Sequence, residues 1–234
     1  MSTIREPKRA VLQMPNYTLC IDTSAGTTVA VLQGDETRSE IHFDENMKHA
    51  ERIGDAIAQA IAAAEIKPSR ISNVVVGRGP APFTGLRIGI AAAVMFAEGV
   101  GAKLWGVTSL DAIALAAFNK LGVAPGATVK PLLVTADARR SEVYWALYSG
   151  LSKSGAPILI EGPAVAKPAA LEELLAVKEF QRTDLKINAV DLGKVFEAQL
   201  LDGTASQSVS ALYLREADAV APKDLREFGK RVSG

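Results

Sequence analysis

Two aspartates stand where this chain could do chemistry on a phosphate. Asp22 closes the run Tyr17-Thr18-Leu19-Cys20-Ile21-Asp22 and opens the small-residue turn Thr23-Ser24-Ala25-Gly26-Thr27-Thr28. Asp137 closes Pro131-Leu132-Leu133-Val134-Thr135-Ala136-Asp137 and opens Ala138-Arg139-Arg140-Ser141. Carboxylates at strand ends beside such turns can organise Mg²⁺ and a water for phosphoryl transfer. The competing reading is that each carboxylate satisfies the amides of its own turn. The first turn could still hold a phosphate, with Asp22, Thr23 and Ser24 as its contacting positions. The second lacks glycines that would let backbone approach a phosphate closely, so Asp137 reads as a vestige. A structural role outweighs catalysis at both.

Other chemistries find less support. Metal-binding helices commonly pair imidazoles one turn apart, but the residue four beyond His49 is Ile53, and His42 falls on a separate strand. Cys20 lies inside an apolar run, where a thiol behaves as a small apolar side chain. Ser24 and Ser109 have no histidine at an arguable distance, so no nucleophile–base pair is evident. Arg87 falls in the first turn of a helix, where the macrodipole disfavours a cation by a few tenths of a kcal/mol. That position suggests an anion against it, a carboxylate of this chain or of a partner. A solvated arginine with its stem packed on the loop is the alternative.

The elements that must position these residues centre on Val74-Val75-Val76-Gly77-Arg78-Gly79-Pro80-Ala81-Pro82-Phe83-Thr84-Gly85-Leu86-Arg87-Ile88-Gly89. A valine run bounded by Gly and Pro reads as a strand buried on both faces. Thr84 is typed as the N-cap of the helix that follows, from about Gly85 to Gly99. In that helix Ile88, Ala92, Met95 and Phe96 form one apolar face, and Gly85, Gly89, Ala93 and Ala97 form a second, small-residue face. A helix apolar all round must be covered on more than one side. An earlier helix, about His49 to Glu65, carries Ile53, Ile57, Ala60, Ile61 and Ala64 at helical spacing, with Glu51, Asp55 and Gln59 on its wetter side.

Before these helices, Tyr17–Asp22, Val29–Leu32 and Arg38–Phe43 read as three strands. Lys103–Gly106 reads as a short strand, and Ser109 can cap a helix reaching Lys120. Residues 131–137 and Glu142–Tyr148 repeat the strand–Asp–turn–strand plan. Residues 150–168 read as strand and loop, 169–177 as a helix, 183–190 as a strand and 192–201 as a helix. The repetition suggests an internal duplication. It resembles the α/β actin-like ATPase and sugar-kinase superfold, two ribonuclease H-like lobes facing each other across a cleft. The expected division is an N-terminal extension over 1–16, one lobe over 17–106, a second over 107–222 whose end packs back on the first, and a charged tail over 223–234.

Composition narrows the partners. Of 234 residues, 48% are hydrophobic and 22% charged, and 26 basic residues balance 26 acidic ones, which speaks against stand-alone nucleic-acid binding. One cysteine excludes an internal disulfide and suits a reducing compartment. The first fifteen residues hold no apolar run long enough for a signal peptide, so the cytoplasm is expected.

Residues 77–89, Gly-Arg-Gly-Pro-Ala-Pro-Phe-Thr-Gly-Leu-Arg-Ile-Gly, closely resemble the GPGSFTGLRIG signature of the TsaB (YeaZ) family, with Ala81 and Pro82 departing from it. Leu19–Ser24, His49-Ala50-Glu51, Thr108-Ser109-Leu110, Asp137–Ala146 and Tyr213-Leu214-Arg215 match in order, so the resemblance spans roughly residues 17–220. It implies the two-lobe fold and a subunit without catalytic machinery. Such a subunit binds and activates TsaD, which places threonylcarbamoyl on adenosine 37 of tRNAs reading codons that begin with A.

By the same resemblance, the partner interface lies on the two helices, through His49, Arg52, Ala56, Ala60, Ala63, Gly85, Arg87, Gly89, Ala93 and Ala97. Ala93 is the position at which a bulky charge should break the complex. A TsaE-like ATPase is a further expected partner, tRNA is reached only through the complex, and the same helices could support a homodimer. No cofactor or metal is expected on this chain alone, with room left for a nucleotide at the joint with TsaD. The alternative is an enzyme of the same superfold, a small-molecule kinase or a metallopeptidase.

Overall fold

The computed structural model describes residues 16–43, 49–175, 179–183 and 185–215. The N-terminal extension up to residue 15 and the charged tail lie outside them.

Apolar runs too continuous for a one-sided sheet build the first lobe. Tyr17–Asp22 (β1) and Thr27–Gln33 (β2) are buried along nearly their whole lengths, whereas Glu36–Phe43 (β3) is mostly exposed, as suits an edge. β1, β2 and β3 form an antiparallel meander, and Ile71–Gly77 (β4) and Lys103–Val107 (β5) add in parallel, giving the order β3-β2-β1-β4-β5. The connections to the parallel strands are helical: His49–Ala63 (α1) leads to β4 and Phe83–Val100 (α2) leads to β5.

After Ser109–Lys120 (α3) the plan repeats. Leu132–Arg139 (β6), Glu142–Leu151 (β7) and Pro157–Ala166 (β8) form a second meander. Pro168–Leu175 (α4) leads to Gln181–Thr183 (β9), which adds parallel to β6, and Ala189–Asp202 (α5) follows. The order β8-β7-β6-β9 reproduces β3-β2-β1-β4, and α4 and α5 follow β8 and β9 along the chain as α1 and α2 follow β3 and β4. The stretch expected as one strand over 183–190 is instead divided between the end of β9 and the start of α5. Asn188 accounts for the break, because its side chain accepts from the Asp191 amide and caps α5.

Period-two alternation sorts the core into layers. Leu19, Ile21, Val74 and Val76 meet α1 and α2, while Cys20, Ala30, Leu32 and Val75 face α5. α3 covers Leu132, Val134, Ala146 and Tyr148 of the second sheet, and α3 and α5 pack against each other. Leu133, Trp145 and Leu147 pack outward against Leu171 of α4. The middle helix pair is therefore common to both lobes. Its close seat on the first sheet depends on Gly193 of α5, where a Cβ would lie 2.6 Å from the Cys20 sulfur and 2.9 Å from a Leu32 methyl. Burial pushes the Cys20 thiol pKa far above its ordinary value, and the side chain serves as packing.

Residues 204–215 return across the first lobe as a strap. The Gly106 amide donates to the Ser206 carbonyl at 2.9 Å, and the Leu212 amide donates to the Arg78 carbonyl at 2.9 Å. Arg215 then reaches the second lobe, pairing with Glu142 at 3.3 Å and donating to the Ala138 carbonyl at 3.1 Å.

Two local expectations are corrected here. Thr84 is not a cap: Pro82 precedes α2 and no side chain caps its amides. The faces of α2 are also the reverse of the expected ones, since Leu86, Gly89, Ala93 and Ala97 point inward and Met95 points out. The reason is distance. A Cβ on Gly89 would sit 2.2 Å from the Thr23 hydroxyl oxygen, so only the small-residue face lets α2 approach β1 this closely.

Candidate functional site

The C-terminal ends of β1, β4 and β5 converge on one cluster. Asp22 is fully buried, and its Oδ1 accepts the Ser24 amide at 2.7 Å and the Ser24 hydroxyl. Its Oδ2 accepts the Ser109 hydroxyl at 2.6 Å, and the Ser109 oxygen accepts the Gly79 amide at 3.2 Å. Ser109 therefore does not cap α3, whose N-cap is Thr108 without a side-chain bond. Thr23 donates to the Gly85 carbonyl at 2.9 Å, tying the β1–β2 turn to the start of α2. Asp22 and Thr23 are thus structural ties of the docked turn, the role that outweighed phosphate binding in the sequence.

Ser24 and Asp137 do face open space. They share a cavity of about 270 Å³ between the lobes with Ser109, Thr135 and Lys186, over an apolar floor that includes Ile113 and Ile187. The Asp137 Oδ1 accepts the Arg139 amide at 2.8 Å, the satisfied-turn role weighed from sequence. Arg139, Arg140 and Ser141 all have left-handed backbone, with φ of 62°, 54° and 59°. Such residues cost of order 1 kcal/mol each, and the Asp137 and Arg215 bonds to this turn offset part of that. Among the described residues, no three His, Cys, Asp or Glu side chains gather as a ligand set.

Beneath this cluster Asp111 accepts the Tyr148 hydroxyl at 2.7 Å. Burial raises the Asp111 pKa from the ordinary value of 3.8 to about 6, against the opposing pull of that hydrogen bond and of Arg78. A carboxyl that holds its proton more tightly when folded stabilises the protein at low pH and loses that contribution as pH rises through about 6. Asp111→Asn, which retains an acceptor for Tyr148, should raise stability at pH 7 by up to about 3 kcal/mol. The gain over wild type should shrink toward pH 4, as followed by urea denaturation at each pH. An equal gain at both pH values would contradict the assignment.

The other candidate surface is the outer side of α1 and α2. Of the residues expected there, Ala56, Ala60, Ala93 and Ala97 are at most 2% exposed and Gly89 is also buried, so these five belong to the core. Ala63 and Arg87 are exposed, and Arg52 and Gly85 are half-buried. Arg52 lies over the Phe43 ring at 5.4 Å. His49 begins α1, and its side chain lies outside the description. The outward positions of α2 are instead Thr84, Arg87, Ala91, Met95, Glu98 and Gly99, with Ile88 and Ala92 half-buried beside them. α2 has the length and mean hydropathy (1.4) to cross a membrane, yet only 22% of it is buried in the fold, so much apolar surface faces outward. Met95 is 73% exposed.

Arg87 has company that the sequence did not reveal. Its guanidinium lies 3.5 Å from the Phe83 ring centre, and its Nε donates to the Tyr213 hydroxyl at 2.8 Å. Among the described residues no carboxylate pairs with it. Among the described residues, two aromatic rings stand against it, and the anion expected there, of this chain or of a partner, is not seen.

Two sheets of matching order around a shared helix layer, with a cleft at the strand ends, define an actin-like, sugar-kinase-type α/β protein. A solved structure of YeaZ from Pseudomonas aeruginosa has the same fold: TM-score 0.70 at 23% identity, covering 85% of this chain and 100% of that one. Residues 44–220 match the family described as TsaD, tRNA N6-adenosine threonylcarbamoyltransferase. The protein named tRNA threonylcarbamoyladenosine biosynthesis protein TsaB from Escherichia coli K12 is 33% identical over 156 residues, 66% of this chain and 64% of that one. An uncharacterized protein of Mycobacterium tuberculosis H37Rv is 40% identical over 130 residues, 53% of this chain and 56% of its own length. The chain belongs to this family, on the side of its TsaB (YeaZ) members. It spans little more than half the length of the mycobacterial relatives it matches.

Proposed function

We propose that this chain is a non-catalytic subunit that binds a TsaD-type threonylcarbamoyltransferase through the outer sides of α1 and α2. Its role is to support the transferase in the state that modifies adenosine 37 of tRNAs reading codons that begin with A. A subunit can do this only by binding that state more tightly than the inactive one. The observation that carries the reading is the outward apolar side of α2, headed by Met95 at 73% exposure. An apolar helix face of this kind suits a second helix laid against it, and the small residues Ala91, Ala92 and Gly99 let that helix come close.

The buried Asp22 agrees with a supporting role, since its carboxylate is spent on Ser24 and Ser109. A nucleotide at the joint with the transferase and a TsaE-type ATPase as a further partner belong to the same proposal, set in the cytoplasm. The test is threonylcarbamoyl transfer to tRNA by the cognate transferase, with the other pathway components present. Omitting this chain should cost at least about tenfold in rate, the equivalent of a modest coupling free energy. An unchanged rate would overturn the proposal.

A further inference from the structure

We infer that Phe83, Arg87 and Tyr213 form a receptor for a carboxylate on the protein that docks against α2. This rests on the docking reading above and adds to it a specific chemistry and a contact outside the two helices. Arg87 is the fifth residue of α2, just past its first turn, and no described carboxylate pairs with it. Its guanidinium is nevertheless held in place. One face stacks on Phe83 at 3.5 Å, and Nε is taken by the Tyr213 hydroxyl at 2.8 Å. The two rings brace each other at 4.7 Å between centres.

Tyr213 is itself fixed by the strap, through the adjacent Leu212 amide on the Arg78 carbonyl. The molecule therefore invests a segment from the far end of the chain in orienting one exposed arginine. A guanidinium has five donors in one plane, and this one gives Nε to a neutral phenol. Its two terminal nitrogens can then donate in parallel to the two oxygens of one carboxylate. Preorganisation lowers the ordering cost when that acid arrives.

The setting favours a protein carboxylate over a nucleic-acid phosphate. Phe83 and Tyr213 are 42% and 43% exposed, and the next outward positions of α2, Ala91 and Met95, are apolar. A phosphate-binding face would cluster further basic side chains, and α2 carries none beyond Arg87. An exposed arginine flanked by aromatic rings is instead the composition of a protein-interface anchor.

The experiment measures affinity of the full chain for the cognate transferase at low and high salt. It compares wild type with Arg87→Ala, Arg87→Lys and Met95→Glu, each checked for folding by circular dichroism. Arg87→Ala should weaken binding about 10- to 100-fold at low salt, with the gap narrowing as salt rises. Arg87→Lys should recover only a minor part of the loss, because a point charge does not replace the planar fork. If Arg87→Ala binds like wild type while Met95→Glu does not bind, the receptor is overturned and the docking reading stands. If neither variant weakens binding, the docking reading falls and takes the receptor with it. Loss of tRNA binding in Arg87→Ala without loss of transferase affinity would also overturn the inference, in favour of a phosphate.

Discussion

Met95→Glu should lower affinity for the transferase by at least about 100-fold and leave the isolated chain as stable as wild type. The side chain is 73% exposed, so a carboxylate there remains hydrated in the free protein and costs almost nothing. In the complex it would be buried against an apolar neighbour, and an unpaired buried charge is among the largest penalties a protein interface can meet. Calorimetric titration, with thermal melts of the free variant, separates the two effects. Wild-type affinity would remove this side of α2 from the interface. A charge at Ala93 cannot make the same test. Ala93 is wholly buried beneath the helix, so a bulky charge there unfolds the chain before it reports on any partner.

Gly77→Ala should destabilise the fold by about 3 kcal/mol or more, enough to remove much of the stability of a typical domain. An added Cβ would stand 1.8 Å from Asp22 Oδ2 and 2.8 Å from the Ser109 oxygen. Neither atom is the free end of a mobile chain, because the two are hydrogen-bonded to each other at 2.6 Å. Relief would require breaking that bond and leaving a buried carboxylate short of donors. Urea denaturation of the variant should show a much lower midpoint at an unchanged slope. Gly34→Ala is the comparison: a Cβ there meets nothing within 4 Å, so only its left-handed backbone, φ 61°, is penalised. Equal losses at the two sites would refute the packing argument.

Most strands and their duplicated plan were legible because they are continuous apolar or alternating runs ended by turn chemistry; the stretch 183–190 was not. Val74–Val76 before Gly77, and the two Asp-ended runs, needed no tertiary information. α1 was legible for the same kind of reason: one side is charged, so its apolar stripe has one direction to face.

α2 defeated that logic. Both of its sides are apolar, and hydropathy cannot rank Gly89, Ala93 and Ala97 against Ile88, Ala92 and Met95. The choice is made by a contact with Thr23, far away in sequence, which has room for a glycine and nothing larger. The hydroxyl of Ser109 was read as a cap because its nearest amides are those of its own helix. Its actual acceptor, Asp22, is 87 residues away. That the end of the second lobe packs back on the first was expected, but where the strap grips left no pattern, since its bonds to Gly106 and Arg78 run through backbone groups that every residue type carries. Arg87 was flagged by its awkward place in the helix, while its ring partner Tyr213 could come only from the folded strap.

The middle helix pair, with α5 on Cys20 and Leu32 of one sheet, α3 on Leu132 and Tyr148 of the other, and the two helices packed on each other, has a thermodynamic consequence. Neither sheet can lose its inner layer without the other losing it too, so the two lobes share one free energy of unfolding. Whatever binds the outer side of α2 with a given affinity therefore protects β6 to β9, on the far side of the molecule, by the same amount. Occupancy at one end is felt as resistance to unfolding at the other, with no change of shape in between.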